Sequence, residues 1–403
     1  MLSASDLRDL HYAPPRCNFT WYEGRDRVQP FGVVKLRILF VLSGLHRINR
    51  GAEISFISIA RELTKTGNDV TLIGSGQPRE GEPYRFLHAP SISRNHFAAL
   101  PSVPAFRTDS AYEDATFFPG LLWRYRPAQY DVTLTSDYPW PNWALRRPSW
   151  RGLRPSHVFV TQNGDWAPHA RKREYRFFGC DGLVCTNPDF YQRNASRWRS
   201  ALIPNGVDTE RFRPGPAARD EFGLPADKAI ILMVSALISS KRVEMGIAAV
   251  SKIPDAHLVV AGDGPLRKAI DDQAAALLPG RFRRLSVSPD RMPSLYRSAD
   301  VFLHLSKDEA FGNVFIEALA CGRPVVAPDI ARYRWIVGND EFLVDSEDAD
   351  TIAGGIRQAL SDSPRPEQRA AQVQAFSWTN IASKYQQFLA EVIASRYDNT
   401  AAN

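Results

Sequence analysis

Leu36-Arg-Ile-Leu-Phe-Val-Leu42 is an apolar run whose length and continuity suit a strand buried on both faces. The polar, proline-containing residues before it carry no period and read as an irregular extension. After the loop Ser43–Gly51 a helical pattern runs from Glu53 to Thr66, with Ile54, Ile57 and Leu63 on one face. Gly67 ends it, and Asp69–Ile73 reads as the next strand. Strand, loop, helix, strand is a βαβ unit, which predicts a parallel sheet covered by helices. Further strands are expected at Asp131–Thr135, His157–Thr161 and Leu183–Thr186. The pattern pauses around Ile203-Pro-Asn-Gly-Val-Asp208 and then restarts. Strands are expected at Ala229–Val234, Ala256–Ala261, Asp300–Leu305 and Pro324–Ala327. Helices are expected at Val243–Ser251, Leu266–Leu277 and Gly312–Cys321, with Asp348–Leu360 and Ile381–Ile393 closing the chain. Two α/β halves joined near residues 205–215, with a cleft between them, is the architecture this implies.

A length of 403 residues agrees with two domains, and 44% apolar with 23% charged residues is a globular balance. The longest apolar stretch, Ala229–Ile238, is about half a membrane span. Charges fall where a secretory leader needs its apolar core, so a cytoplasmic protein is expected. Four cysteines (Cys17, Cys180, Cys185, Cys321) are too few for a disulfide scaffold and read as reduced packing residues. The net charge of +6 hides an asymmetry: residues 1–200 hold 27 Lys/Arg against 18 Asp/Glu, and the rest hold 23 against 26. The basic residues cluster at Arg146, Arg147, Arg151 and Arg154, and again at Arg171, Lys172, Arg173 and Arg176. A solvated surface explains such clusters, as does an anionic partner. Nucleic acid is disfavoured because no binding signature for it is present, which leaves an anionic membrane face as the preferred partner.

The sharpest chemical signal is Glu309-Ala-Phe-Gly-Asn-Val-Phe-Ile-Glu317, between an expected strand and helix. Gly312 allows close backbone approach, and the amides of Gly312, Asn313 and Val314 would point from the helix N-terminus toward a diphosphate or sugar oxygens. A carboxylate on either side suits a polyhydroxylated ligand. The plainer alternative is that Glu309 favours the helix dipole and Glu317 is a solvated helix residue.

With the following Ala318-Leu-Ala-Cys-Gly-Arg-Pro-Val-Val-Ala-Pro328, this segment resembles the signature of the family-4 (group 1) retaining glycosyltransferases. Four other segments agree in order: Arg50-Gly-Ala-Glu53, Ile203–Asp208, Gly262-Asp-Gly-Pro265, and Phe376-Ser-Trp378 followed by Phe388-Leu389. The resemblance spans about residues 36–395 and implies the GT-B fold, two Rossmann-like parallel-sheet domains facing across a cleft. Its division would be 1–33 extension, 34–205 acceptor-side domain, 206–378 nucleotide-sugar domain, and 379–403 a helix packing back toward the first domain.

By the same resemblance, Glu317 would bind the nucleotide's ribose and Glu309 a hydroxyl of the transferred sugar. Lys241 would neutralise the departing diphosphate, whose negative charge grows as the glycosidic bond opens. Gly51 would close over the phosphates from the first domain. Phe311, Gly312, Asn313, Val314 and Gly264 complete the expected donor contacts.

Two departures stand out. Ser235-Ala236-Leu237 replaces the family's Gly-Arg-Leu, so Arg242 becomes the candidate second cation. Gln162 or Asn163 takes the place of a first-domain His, and Asn163 could bond a sugar oxygen without acting as a base. Asp348-Ala-Asp350 looks like a metal motif, but it opens a helix and reads as a cap. No metal is required where Lys241 and helix amides face the phosphates.

His46 reads as a surface loop residue and His304 as a satisfied core histidine. The implied activity is hexosyl transfer, with retention, from a UDP- or GDP-linked sugar to a saccharide or lipid-linked saccharide. Surface polysaccharide or glycolipid biosynthesis, with peripheral attachment to the inner membrane face, is the implied setting. The alternatives are a sugar-nucleotide epimerase of the same fold and a non-catalytic nucleotide-sugar-binding scaffold.

Overall fold

The computed structural model describes residues 35–401 apart from 98, 149–153, 171–174, 340 and 363. The expected extension, residues 1–33, lies outside the described residues, and so do Arg151, Arg171, Lys172 and Arg173.

The first half builds a seven-stranded sheet from β1 (Arg37–Val41), β2 (Asp69–Gly74), β3 (Arg85–His88), β4 (Val132–Thr135), β5 (Ser156–Val160), β6 (Gly182–Cys185) and β7 (Ser200–Leu202). Its order is β3-β2-β1-β4-β5-β6-β7, and every pairing is parallel. The second half builds a six-stranded parallel sheet from β8 (Ala229–Val234), β9 (Ala256–Ala261), β10 (Phe282–Leu285), β11 (Val301–Leu303), β12 (Val325–Pro328) and β13 (Phe342–Val344). Its order is β10-β9-β8-β11-β12-β13. Helices cover both faces of each sheet, and for that reason β1 reads as an unbroken apolar run: Ile38 to Val41 are fully buried.

Strand order reverses between β1 and β4 in one sheet and between β8 and β11 in the other. Open parallel sheets place their ligands at the carboxyl ends of the strands on either side of such a reversal.

Two chain crossings join the halves and touch each other. Val207 N–H donates to Phe376 O at 2.8 Å, and Trp378 N–H donates to Val207 O at 3.3 Å. Only glycine fits at Gly206, because a Cβ there would stand 2.5 Å from the Trp378 ring and 2.9 Å from Phe376 O. The chain then enters the helix Trp378–Ala401, whose Ile381, Tyr385, Phe388, Leu389 and Val392 join the core of the first half. That spacing is one helical stripe, and each large side chain so buried contributes roughly 1.5–3 kcal/mol.

Several elements were not expected from the sequence. Strands β3, β10 and β13 lie at sheet edges with half-exposed side chains, so they lack a buried run. The helix Asp109–Arg124 holds Pro119 in its interior, a residue that ordinarily argues against helix.

Candidate functional site

The second sheet's reversal point carries the loops 235–242 after β8 and 304–312 after β11. Lys241 Nζ from the first loop donates to Glu309 Oε1 in the second. His304 Nε2 lies 3.1 Å from the same oxygen. Burial alone would raise the Glu309 pKa, but the hydrogen bond and charge of His304, with those of Lys241, hold it down to about 2. The carboxylate is therefore ionised across the physiological range. His304 is buried, as expected for a core histidine, but its partner is Glu309, so it belongs to this constellation. Its position five residues before Glu309, at a strand end, is the only signal the sequence offered.

The helix Asn313–Ala320 starts from Gly312, which has φ 89° and no side-chain cap. A Cβ on Gly312 would stand 2.8 Å from the Phe315 ring as well as adopting a strained backbone. Gly312→Ala is expected to cost about 1–3 kcal/mol, read as a lower urea midpoint. The uncapped helix end presents backbone N–H groups and the positive pole of its dipole. Glu317, one turn in, accepts a hydrogen bond from Tyr296 OH at 2.8 Å. Burial pushes its pKa up to about 7 against the opposing Tyr296 bond and the Arg211 charge. The Phe311 side chain is buried against Phe376 and Trp335, so the ring serves the core.

The helix Gly51–Lys65 brings its own N-terminus to the same place from the first half. A Cβ on Gly51 would lie 3.5 Å from Asn313 Nδ2. Two helix N-termini thus converge across the cleft. Asn205 Nδ2 donates to Asn313 Oδ1 at 2.9 Å, while Asn205 Oδ1 accepts from Gln162 Nε2 at 2.6 Å and Ser55 Oγ at 3.2 Å. Gln162 is thereby committed to a buried polar network. Asn163 is exposed, and its Nδ2 lies 3.2 Å from Asp137 Oδ1.

Arg242 does not turn toward Glu309. Its guanidinium bonds both Glu347 carboxylate oxygens at 2.9 Å and Ser346 O at 2.7 Å. Gly264 packs on the backbone of Leu237, where a Cβ would meet the carbonyl oxygen at 2.6 Å. It shapes the loop that carries Lys241. Asp348 caps the helix Ala349–Ser361 by accepting from Thr351 N–H at 2.8 Å, and Asp350 pairs with Lys252 at 2.8 Å. No group of three or more metal-ligating side chains occurs among the described residues.

His46, expected on the surface, is buried instead. Its ring nitrogens lie 2.9 Å from Gln77 O and 2.7 Å from Tyr84 OH, and it stacks on Phe86. A cluster of arginines around the buried carboxylates of Glu53 and Glu113, beside β1 and β4, went unread in the sequence. Arg47 and Arg94 pair with Glu113, and Arg50 pairs with Glu53. Burial raises the Asp137 carboxyl to about 6, with the Glu53 charge adding to it.

Residues 49–211 match the profile of Glycosyltransferase Family 4, and residues 216–376 that of Glycosyl transferases group 1. A D-inositol 3-phosphate glycosyltransferase of Acidothermus cellulolyticus is 31% identical over 400 positions, covering 85% of this chain and 86% of that one. The chain belongs to the family-4, group 1 glycosyltransferases. Solved structures agree on the GT-B fold of this glycosyltransferase. A sucrose-phosphate synthase from Thermosynechococcus elongatus superposes with TM-score 0.71 at 21% identity, covering 90% of this chain and 100% of that one. The Anabaena protein HepE, solved in complex with UDP-glucose, superposes with TM-score 0.61 at 18% identity, covering 91% and 100%. Membership carries glycosyl transfer from a sugar nucleotide as the activity.

Proposed function

We propose that this glycosyltransferase moves a hexose, with retention of anomeric configuration, from a UDP- or GDP-linked sugar to a hydroxyl of a saccharide or lipid-linked saccharide. The observation that carries the reading is the convergence of Lys241, Glu309 and two helix N-termini, at Gly51 and Asn313, on one cleft. The leaving nucleoside diphosphate gains charge as its bond to the sugar opens. Lys241 and the Gly312–Val314 amides stabilise that charge without reorganisation, and such fixed donors commonly supply more rate acceleration than any other feature of a site.

Glu309, already ionised, accepts a hydroxyl of the transferred sugar, and Glu317 accepts the ribose hydroxyls. The acceptor hydroxyl attacks from the face the diphosphate leaves, and the departing phosphate takes its proton. Domain closure excludes water and limits hydrolysis of the donor. Asn163 bonds a sugar oxygen from the first domain and takes no proton. Lys241 and the helix amides supply the positive charge that the diphosphate needs, so in this reading the reaction needs no divalent cation.

The test is transfer in excess EDTA, with the product anomer read by proton NMR. Retention with full activity is expected; inversion, or loss of activity restored by Mg²⁺, overturns the mechanism. An epimerase of the same fold would release an altered sugar nucleotide with no acceptor present, and the same spectra detect it.

Surface polysaccharide or glycolipid biosynthesis fits this acceptor class. No helix among the described residues is long and apolar enough to cross a membrane. The basic first half and a lipid-linked acceptor favour peripheral attachment to the inner membrane face. Co-sedimentation with phosphatidylglycerol vesicles at low salt, and release at high salt, is the expected result.

A further inference from the structure

Side chains from both halves hold backbone carbonyls of the loop 304–312, which carries Glu309. From the helix Ala331–Val337 of the second half, Tyr333 OH donates to Ser306 O at 2.7 Å and Arg332 Nη2 to Lys307 O at 2.8 Å. From the first half, Asn187 Nδ2 donates to Ala310 O at 2.5 Å, across 123 residues of sequence. The Ala310 side chain packs against the first-half cluster that contains Leu183, Cys185 and Phe190. Asp189 adds a longer ion pair across the cleft, its Oδ2 lying 3.8 Å from Arg332 Nη1.

Asn187 follows β6 and is fully buried. Its Oδ1 caps the helix Pro188–Asn194 by accepting from Phe190 N–H at 2.9 Å. That bond decides which end of the amide is oxygen, so the nitrogen is the end that faces Ala310 O. Capping alone does not call for asparagine, because aspartate and serine cap about as well. Neither of them offers an N–H from the far end of the side chain. A second buried asparagine repeats the arrangement three residues on: Asn205 Nδ2 donates to Asn313 Oδ1 at 2.9 Å. The segment Ala310–Asn313 is thus held from across the cleft at both ends. It links Glu309 to the helix amides that meet the donor.

We infer that Asn187 is a positioning residue for transfer: it anchors the Ala310 backbone from the first half, so that Glu309 is set for the transferred sugar only while the halves are docked. The inference rests on the glycosyltransferase reading above and adds a residue to it. Lys241 and His304 fix the Glu309 carboxylate, whereas Asn187 fixes the backbone that bears it. A shift of about 1 Å at such a group costs about 10²-fold in rate.

Asn187→Ser and Asn187→Ala separate the two bonds, since serine keeps the cap but is too short to reach Ala310. Both are expected to lower kcat about 10–100-fold, while the Kd of UDP or GDP changes less than twofold. Hydrogen exchange in the free protein should quicken over residues 304–314 in both variants, and over the helix Pro188–Asn194 only in Asn187→Ala. In a Glu309→Gln background, Asn187→Ser should lower kcat less than twofold, because the residue it acts through is already gone. A kcat loss confined to Asn187→Ala, unchanged loop exchange in Asn187→Ser, or the full loss in the Glu309→Gln background overturns the inference. A wild type that binds UDP or GDP but transfers no sugar overturns the transferase reading instead, and the loop exchange then decides on the anchor alone.

Discussion

Lys241→Ala is expected to lower kcat at saturating donor by about 10²–10³-fold, or about 2.7–4 kcal/mol of transition-state stabilisation. The ammonium is the cation placed on Glu309 from the loop after β8, while Arg242, the candidate second cation, is held by Glu347 and Ser346. Removing Lys241 also takes one of the two groups that hold Glu309 ionised, so the Glu309 pKa rises from about 2 toward the ordinary range. Lys241→Arg restores charge but not the compact ammonium, and partial recovery is expected. A loss below threefold in Lys241→Ala would contradict the role.

Glu317→Gln is expected to stabilise the protein above pH 7 while destroying donor affinity. An ordinary glutamate titrates at 4.5, whereas folding raises this one to about 7. Below pH 4.5 both states hold the proton and no penalty exists. The folded state's advantage is lost as pH rises between those values, and above pH 7 the full cost of a buried carboxylate is present. That cost is on the order of 1–3 kcal/mol at pH 8. Glutamine carries no charge and keeps an acceptor for Tyr296 OH, so its melting temperature should exceed the wild type's at pH 8 and match it at pH 4.5. Donor affinity should drop about 10–100-fold, since a hydrogen bond to a charged group contributes roughly 1.5–3 kcal/mol. In the wild type, affinity should fall about tenfold per pH unit below 7, because ribose hydroxyls need the ionised acceptor. A variant no more stable at pH 8, or a flat pH profile, would show that Glu317 is a solvated helix residue.

The sequence exposed the fold where burial is two-sided. β8 is a continuous apolar run, and β1 and β9 are broken only by Arg37 and His257 near their starts, because helices cover both faces; the expected spans match within one or two residues. Edge strands gave no such signal: β10 holds the adjacent Arg283 and Arg284, and none of its side chains is fully buried. The site was legible in part for the same reason. Glu309, Gly312 and Glu317 sit on a short strand–loop–helix stretch, where local spacing determines their arrangement.

What was lost is what tertiary contact creates. His304 joins Glu309 only because β11 ends beneath that loop, and Gln162 meets Ser55 and Asn205 across gaps of 107 and 43 residues. The sequence left Gln162 and Asn163 equivalent, yet one is buried in a polar network and the other exposed. Arg242 adjoins Lys241 in sequence, but its left-handed backbone, φ 56°, turns it toward Glu347.

The proposed chemistry depends on the cleft between the two sheets binding a nucleoside diphosphate through Lys241 and the helix beginning at Asn313. Thermal melting with UDP, GDP, ADP and CMP, on wild type and Lys241→Ala, is the decisive measurement. A ligand at about 100 times its Kd adds about 2.7 kcal/mol of stability, which is a plain rise in Tm. UDP or GDP is expected to raise the wild-type Tm, and Lys241→Ala should respond much less. No shift with any of the four, or an equal shift in both proteins, would refute that mode of binding.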